Sequence, residues 1–264
     1  MPYKEDRGVD TTKKEIQFLE GPQSRWRDFI YTINVWLEFI KGFRGLHFVG
    51  PCVTVFGSAR FKEDHEYYEV TRRLAGEVAK LGFTIITGGG PGLMEAANRG
   101  AKDVGGRSVG CNIQLPEEQD PNPYLDKMVD FKYFFIRKTL LIKYSYAFIV
   151  MPGGFGTLDE FYEALTLVQT KKIKSFPIII FCKEFYRHIL EHNKLMLVNQ
   201  TISPEDLNLF LVTDSIEEAI EFIQEKSIVG FNLKYETDKG PRAFWGFLER
   251  KFKRKEDKPV GDQS

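Results

Sequence analysis

Ala147-Phe-Ile-Val-Met-Pro-Gly-Gly-Phe-Gly-Thr-Leu-Asp-Glu160 passes from five apolar residues, through a glycine-rich turn, into a segment of helical spacing. A short, uninterrupted apolar run bounded by glycine is the signature of a strand buried on both faces, as in parallel sheets. The same unit recurs on either side. Upstream, Val53-Thr-Val-Phe56 ends in Gly57-Ser-Ala-Arg60, and a helical stretch through Tyr68, Leu74, Val78 and Leu81 stops at Gly82. Phe83-Thr-Ile-Ile-Thr87 ends in Gly88-Gly-Gly-Pro-Gly92 and feeds a helix from about Leu93 to Val104. A third strand covers Ser108 to Leu115, a polar proline-rich loop follows (Pro116 to Pro123), and another strand lies around Met128 to Phe134. A helix starting near Arg137 leads into the quoted stretch. Downstream come a helix to about Gln169, a strand at Pro177 to Phe181, a helix near Phe185 to Val198, a strand at Phe210 to Thr213 and a helix opening at Ser215. Strands alternating with helices predict an α/β fold: a Rossmann-like, doubly wound parallel sheet with helices on both faces.

That alternation fills residues 51–228. Residues 1–50 form an N-terminal extension: a polar arm, then an amphipathic helix whose apolar residues recur from Trp26 to Phe43, interrupted by Asn34, Glu38 and Lys41. Residues 229–264 read as a polar tail, charge-dense and solvated from Arg250 to Lys258. Hydrophobic residues make up 42% of the 264 and aromatics 14%, which excludes a disordered chain. Thirty-seven Lys and Arg against 37 Asp and Glu argue against generic nucleic-acid binding, which needs a basic surface. The polar start lacks a signal-peptide pattern, and the longest apolar runs are too short to span a bilayer. Cys52, Cys111 and Cys182 sit in apolar segments without metal-ligand spacing, as free thiols do in a reducing compartment. The expectation is a cytoplasmic protein with no membrane or nucleic-acid partner, and no metal site.

Parallel sheets bind ligands at the carboxyl ends of their strands, and here those ends are glycine-rich. Such glycines have two meanings: a backbone or packing requirement, or a cradle of bare amides facing an anion at a helix N-terminus. Two clusters at two strand ends favour a nucleotide-like ligand. Standard fingerprints fail, however. G-x-G-x-x-G from Gly88 would need glycine at Leu93, and from Gly154 at Asp159; neither loop has the G-x-x-x-x-G-K-[ST] pattern. A dinucleotide oxidoreductase and a phosphoryl-transfer enzyme both lose ground.

Gly88-Gly-Gly-Pro-Gly-Leu-Met-Glu95 and Pro152-Gly-Gly-Phe-Gly-Thr-Leu-Asp-Glu160, with Arg137-Lys138 between them, resemble the LOG family over roughly Val53 to Gln224. That family comprises cytokinin-activating phosphoribohydrolases and related bacterial AMP-hydrolysing proteins, often labelled lysine decarboxylases. The resemblance implies hydrolysis of the N-glycosidic bond of a nucleoside 5'-monophosphate to free base and ribose 5-phosphate, without cofactor. It gives Arg137 and Glu160 catalytic positions. It gives substrate-binding positions to Glu95, Lys138, Thr166 and the run Gly153, Gly154, Phe155, Gly156, Thr157, Leu158 and Asp159. It also implies a homodimer or larger homo-oligomer, to which the aromatic helix Trp26 to Phe43 would contribute unless it packs on its own domain.

Each residue also has a plainer reading. Thr157-Leu-Asp-Glu160 has the form of a capping box, in which Glu160 reaches back to the Thr157 amide. Alternatively its charge, ionised at neutral pH at the ordinary pKa of about 4.3, stabilises an oxocarbenium-like ribosyl cation or orients water. Arg137 and Lys138 at a helix start are placed against the dipole, so they call for an anion or a surface partner. Glu95 suits the first turn of a helix on dipole grounds alone, and Thr166 suits any helix. A non-catalytic nucleotide sensor using the same loops is the alternative function. A pyridoxal-phosphate decarboxylase is weaker, because no lysine stands in a Schiff-base context.

Overall fold

The computed structural model of the protein describes residues 21, 22, 24–114, 120–174 and 176–233. The polar arm up to residue 20, the loop tip at 115–119 and the charge-dense tail from 234 lie outside the described residues. Seven strands form one sheet in the order β4-β3-β2-β1-β5-β6-β7, every neighbouring pair parallel. They are β1 (Cys52–Phe56), β2 (Thr84–Thr87), β3 (Ser108–Ile113), β4 (Lys127–Phe131), β5 (Ser145–Val150), β6 (Ile178–Phe181) and β7 (Phe210–Thr213). The helices are α1 (Arg25–Leu46), α2 (Glu66–Lys80), α3 (Leu93–Asp103), α4 (Phe134–Tyr144), α5 (Phe155–Gln169), α6 (Arg187–Val198) and α7 (Ile216–Ile223).

The sheet separates two cores. On one side α2, α3 and α7 bury Leu74, Leu93 and Ala219 against Val53, Ile85 and Ile149. On the other, α1, α4, α5 and α6 cover Phe56, Phe131, Phe148 and Ile178, with Leu46, Leu140 and Phe161 fully buried. The Rossmann-like expectation is met. No described helix is long and apolar enough to cross a membrane.

The chain builds outward from β1 to β4, then returns to lay β5 along the other edge of β1. The crossovers therefore diverge at the C-terminal ends of β1 and β5, the crevice where open parallel sheets take ligands. Three loops knit there. The Met151 N–H donates to Phe56 O (2.8 Å), Ser58 N–H to Pro152 O (3.0 Å) and Leu93 N–H to Ser58 O (2.9 Å).

Two helix starts differ from the sequence reading. The α4 helix begins at Phe134, capped by the extended Tyr133, so Arg137 and Lys138 are its fourth and fifth residues rather than its start. They lie past the turn where the dipole penalises a cation most. The α5 helix begins at Phe155 with Gly154 as its cap, placing Thr157 inside the helix. The extension α1 is fastened to β4 and α4. The buried Glu38 carboxylate accepts the Lys132 N–H (2.8 Å), and Lys41 donates to Asp130 O. Gly42 lets the helices touch: a Cβ there would stand 2.2 Å from Leu140 Cδ1.

Candidate functional site

The turn from β5 into α5 lies at the switch point. By helix geometry the first amides of α5, those of Phe155, Gly156 and Thr157, have no intrahelical acceptor. The three glycines around them differ in their reason. A Cβ on Gly153 would stand 2.1 Å from Thr157 Oγ1, so packing demands glycine there. A Cβ on Gly154 or Gly156 would meet no atom within 4 Å, and neither residue has a positive φ. Packing and backbone conformation therefore do not require those two glycines, whereas close approach of an anion to the amides would.

The Gly88–Gly92 loop is the opposite case. Gly92 has φ +70° and a Cβ there would sit 2.5 Å from Ser58 O. The buried Asn122 side-chain nitrogen lies 3.1 Å from Gly89 O and 3.0 Å from Gly90 O. Asn122 in turn joins Asn98 (3.0 Å), which bonds Ser108 and Thr87. This loop is held by the protein, so its glycines carry the structural meaning. Of the two glycine clusters, one is scaffold and the other is open.

Glu160 sits on the second turn of α5 with its side chain 4% exposed. Its Oε1 lies 3.6 Å from Arg137 Nη1, and its Oε2 is buried with no hydrogen-bond partner among the described residues. Arg137 is aimed by the sheet: Nε donates to Cys111 O on β3 (2.9 Å), and Nη2 lies over Gly88 at the end of β2. Burial pushes the Glu160 carboxyl up to about 7, against the lowering pull of Arg137 and then Lys138. Two expectations are thereby corrected. Glu160 is no capping residue, because the cap is Gly154 and Thr157 is already the third residue of the helix. Nor is its acidity ordinary, because tertiary burial removes the water that stabilises its charge. A carboxyl poised near neutrality can exchange a proton, and its charged form is favoured when a cation develops beside it.

Lys138 bridges Asp159 (3.0 Å) and Glu163 (2.7 Å) at the rim. Phe155, Leu158, Asp159, Tyr162, Glu163 and Thr166 line a shallow groove of about 400 Å³ along the outer flank of α5. Thr166 lies at its far end and donates to Tyr162 O (2.7 Å). The structure thus brings Arg137, Glu160 and the Gly153–Thr157 turn together, and sets Thr166 apart, two turns beyond Glu160. Glu95, the third residue of α3, accepts the Tyr68 hydroxyl proton (2.9 Å) from α2. Sequence reasoning missed Asn122, Tyr68 and Glu38. Asn122 lies between two prolines in a loop without periodicity, and Tyr68 reads as core.

The family model described as "Possible lysine decarboxylase" matches residues 94–223. A cytokinin riboside 5'-monophosphate phosphoribohydrolase of Rhodococcoides fascians is 29% identical over 178 residues, covering 65% of this chain and 88% of that protein. An uncharacterized protein of Archaeoglobus fulgidus is 32% identical over 120 residues, 44% of this chain and 76% of its own. Among solved structures, the molybdenum cofactor binding protein of Rippkaea orientalis superposes with a TM-score of 0.51 at 22% identity, over 67% of this chain and 96% of that one, a likeness of fold alone. With the family model matched over residues 94–223 and a phosphoribohydrolase relative aligned over 178 residues, the chain belongs to the LOG family.

Proposed function

We propose that the protein hydrolyses the N-glycosidic bond of a nucleoside 5'-monophosphate, AMP or a cytokinin riboside monophosphate, to free base and ribose 5-phosphate. One observation carries this: an open amide cradle and a buried, partnerless carboxylate oxygen share one helix, α5. Gly154 and Glu160 are six residues apart, about 9 Å at the helical rise. A phosphate on the Gly154–Thr157 amides would place its ribose along the helix toward Glu160. As the C1'–N bond breaks, its electron pair leaves with the base, which takes a proton from solvent water. Positive charge grows on the ribosyl ring beside Glu160, whose carboxylate stabilises it and takes a proton from the attacking water. Arg137 holds that carboxylate in place and favours its charged form. The relative named as a phosphoribohydrolase supports the reaction class.

The cradle makes the 5'-phosphate a handle whose binding energy positions the reacting carbon. Incubation with nucleoside monophosphates should release base, and adenosine should turn over far more slowly than AMP. Comparable rates for AMP and adenosine would remove the cradle from the mechanism. AMP binding without any released base would leave the protein a nucleotide sensor.

A further inference from the structure

Three residues, Met151, Pro152 and Gly153, carry the chain from β5 to Gly154, the cap of α5. Their backbone groups are held from two directions. The β1 side takes the Met151 N–H on Phe56 O and gives the Ser58 N–H to Pro152 O. From the other direction comes one side chain. The Tyr186 hydroxyl donates to Met151 O (2.7 Å), and the Gly153 N–H faces the same oxygen. Among the described residues no other side chain hydrogen-bonds these three. The unpaired amides of α5 begin two residues later, at Phe155.

Tyr186 reaches this turn from the adjacent crossover. It follows β6 and caps α6, and it is 1% exposed in the core that Phe56, Phe148 and Val150 share. A buried hydroxyl needs partners, and this one has an acceptor in Met151 O and a donor in Gly153. Burial pushes its acidity well above the ordinary tyrosine range. A proton held so firmly, and closed off from solvent, neither protonates a leaving base nor activates water.

We infer that Tyr186 is a positioning residue: its hydroxyl fixes the Met151–Gly153 turn in the shape that presents the Gly154–Thr157 amides, and so sets how tightly the 5'-phosphate is held. The inference rests on reading those amides as the phosphate cradle. Amides fixed before the ligand arrives spare the ordering cost of binding. Phenylalanine at this position would keep the packing of the ring but strand Met151 O and the Gly153 N–H without their partner. The turn then recovers hydrogen bonds only by moving, and the amides move with it. A phosphate held alike in ground and transition states puts the loss on KM rather than kcat.

Tyr186→Phe should fold, with the circular dichroism of the wild type. Its KM for AMP should rise about tenfold, the worth of one hydrogen bond, with kcat unchanged. Adenosine has no phosphate to place, so its slow hydrolysis should not change, and the preference for AMP should shrink by the same factor. A hydroxyl that served the fold alone would not separate the two substrates. 4-Aminophenylalanine at position 186, whose amine donates in place of the hydroxyl, should restore the wild-type KM. Hydrogen exchange reads the turn without any substrate. The Gly153 amide should exchange at least about tenfold faster in Tyr186→Phe, while that of Ile149 in β5 keeps its protection. A wild-type KM in Tyr186→Phe overturns the inference, as do equal losses for AMP and adenosine, failure of that variant to fold, or a folded amine variant with the raised KM. A wild type that neither binds AMP nor releases base defeats the cradle reading instead, and exchange at Gly153 still decides whether Tyr186 holds the turn.

Discussion

The two faces of the sheet are finished to different degrees. On the face of α2, α3 and α7, the helices themselves expose no large apolar side chain, and among the described residues only Val104 at the end of α3 and Val229 in the turn beyond α7 stand in water. There α2 and α3 meet through glycine, with a Cβ on Gly100 falling 2.0 Å from Arg72 O, and Arg72–Asp103 and Arg99–Glu63 pairs lie outside. The face of α1, α4, α5 and α6 leaves in water Trp26, Ile33, Trp36 and Ile40 of α1, Phe134 and Phe135 beside Arg137, and Phe155 on the open turn. It also holds Glu160, the one carboxylate among the described residues that burial has made costly to charge. The closed face supplies rigidity. Strained acidity and exposed apolar surface, both of which cost stability, gather on the face we assign to chemistry.

The largest effect should come from Glu160→Gln. At saturating AMP, turnover should fall by about two to four orders of magnitude, the usual range for losing a positioned acid–base or electrostatic group. In the wild type, kcat/KM should climb with pH on an acid limb near 7, and the variant should lack that limb. Stability should move the other way. The folded pKa of about 7 lies above the unfolded value, so this group's stabilisation is full below the unfolded pKa and is lost as pH rises to about 7. Glutamine stays neutral, so at pH 8 the variant should be the more stable protein, by on the order of 3 kcal/mol, with the gap closing near pH 4. An active variant that melts lower than wild type at pH 8 would make Glu160 a structural residue after all.

On the closed face, Gly100→Ala asks whether rigidity resides there. Helix propensity alone would raise stability by about 1 kcal/mol. The new Cβ, however, would run into the backbone carbonyl of Arg72, which cannot rotate away. Overpacking of that kind costs roughly 1–3 kcal/mol, so denaturant unfolding should show net destabilisation. Turnover per folded molecule should not change. A stabilised variant would mean that the closed face still has room between its helices.

The sheet was legible because strands buried on both faces leave short apolar runs punctuated by proline or glycine, as at Phe148–Met151 before Pro152 and Ile178–Phe181 after Pro177. The starts of α4 and α5 were not, because Tyr133 and Gly154 cap them without side-chain acceptors, while Thr157 one turn inside looks like a cap. Half of the site was legible on the same terms. Glycine at a strand end announces a cradle, but only the surrounding atoms separate the open Gly154 from the fixed Gly92. The acidity of Glu160 depends on what buries it, and spacing holds no record of that. Glu38 reads as a polar interruption in an amphipathic helix, yet it is the inner-face carboxylate that ties α1 to β4.

The smallest effect expected is on Phe155→Ala, and it bears on what exposure is for on the open face. Phe155 is the first residue of α5 and 93% exposed, so truncating it forfeits no burial. Thermal stability should stay within about 0.5 kcal/mol of wild type. If the ring covers the nucleotide held on the neighbouring amides, it binds ground and transition states alike. KM for AMP should then rise about three- to tenfold with kcat unchanged. Loss of stability would mean that the ring packs against something that ordinary exposure does not reveal, such as a second copy. An unchanged KM with an unchanged melting temperature would detach Phe155 from both fold and ligand, and would leave the Gly154 and Gly156 amides to hold the phosphate without a lid.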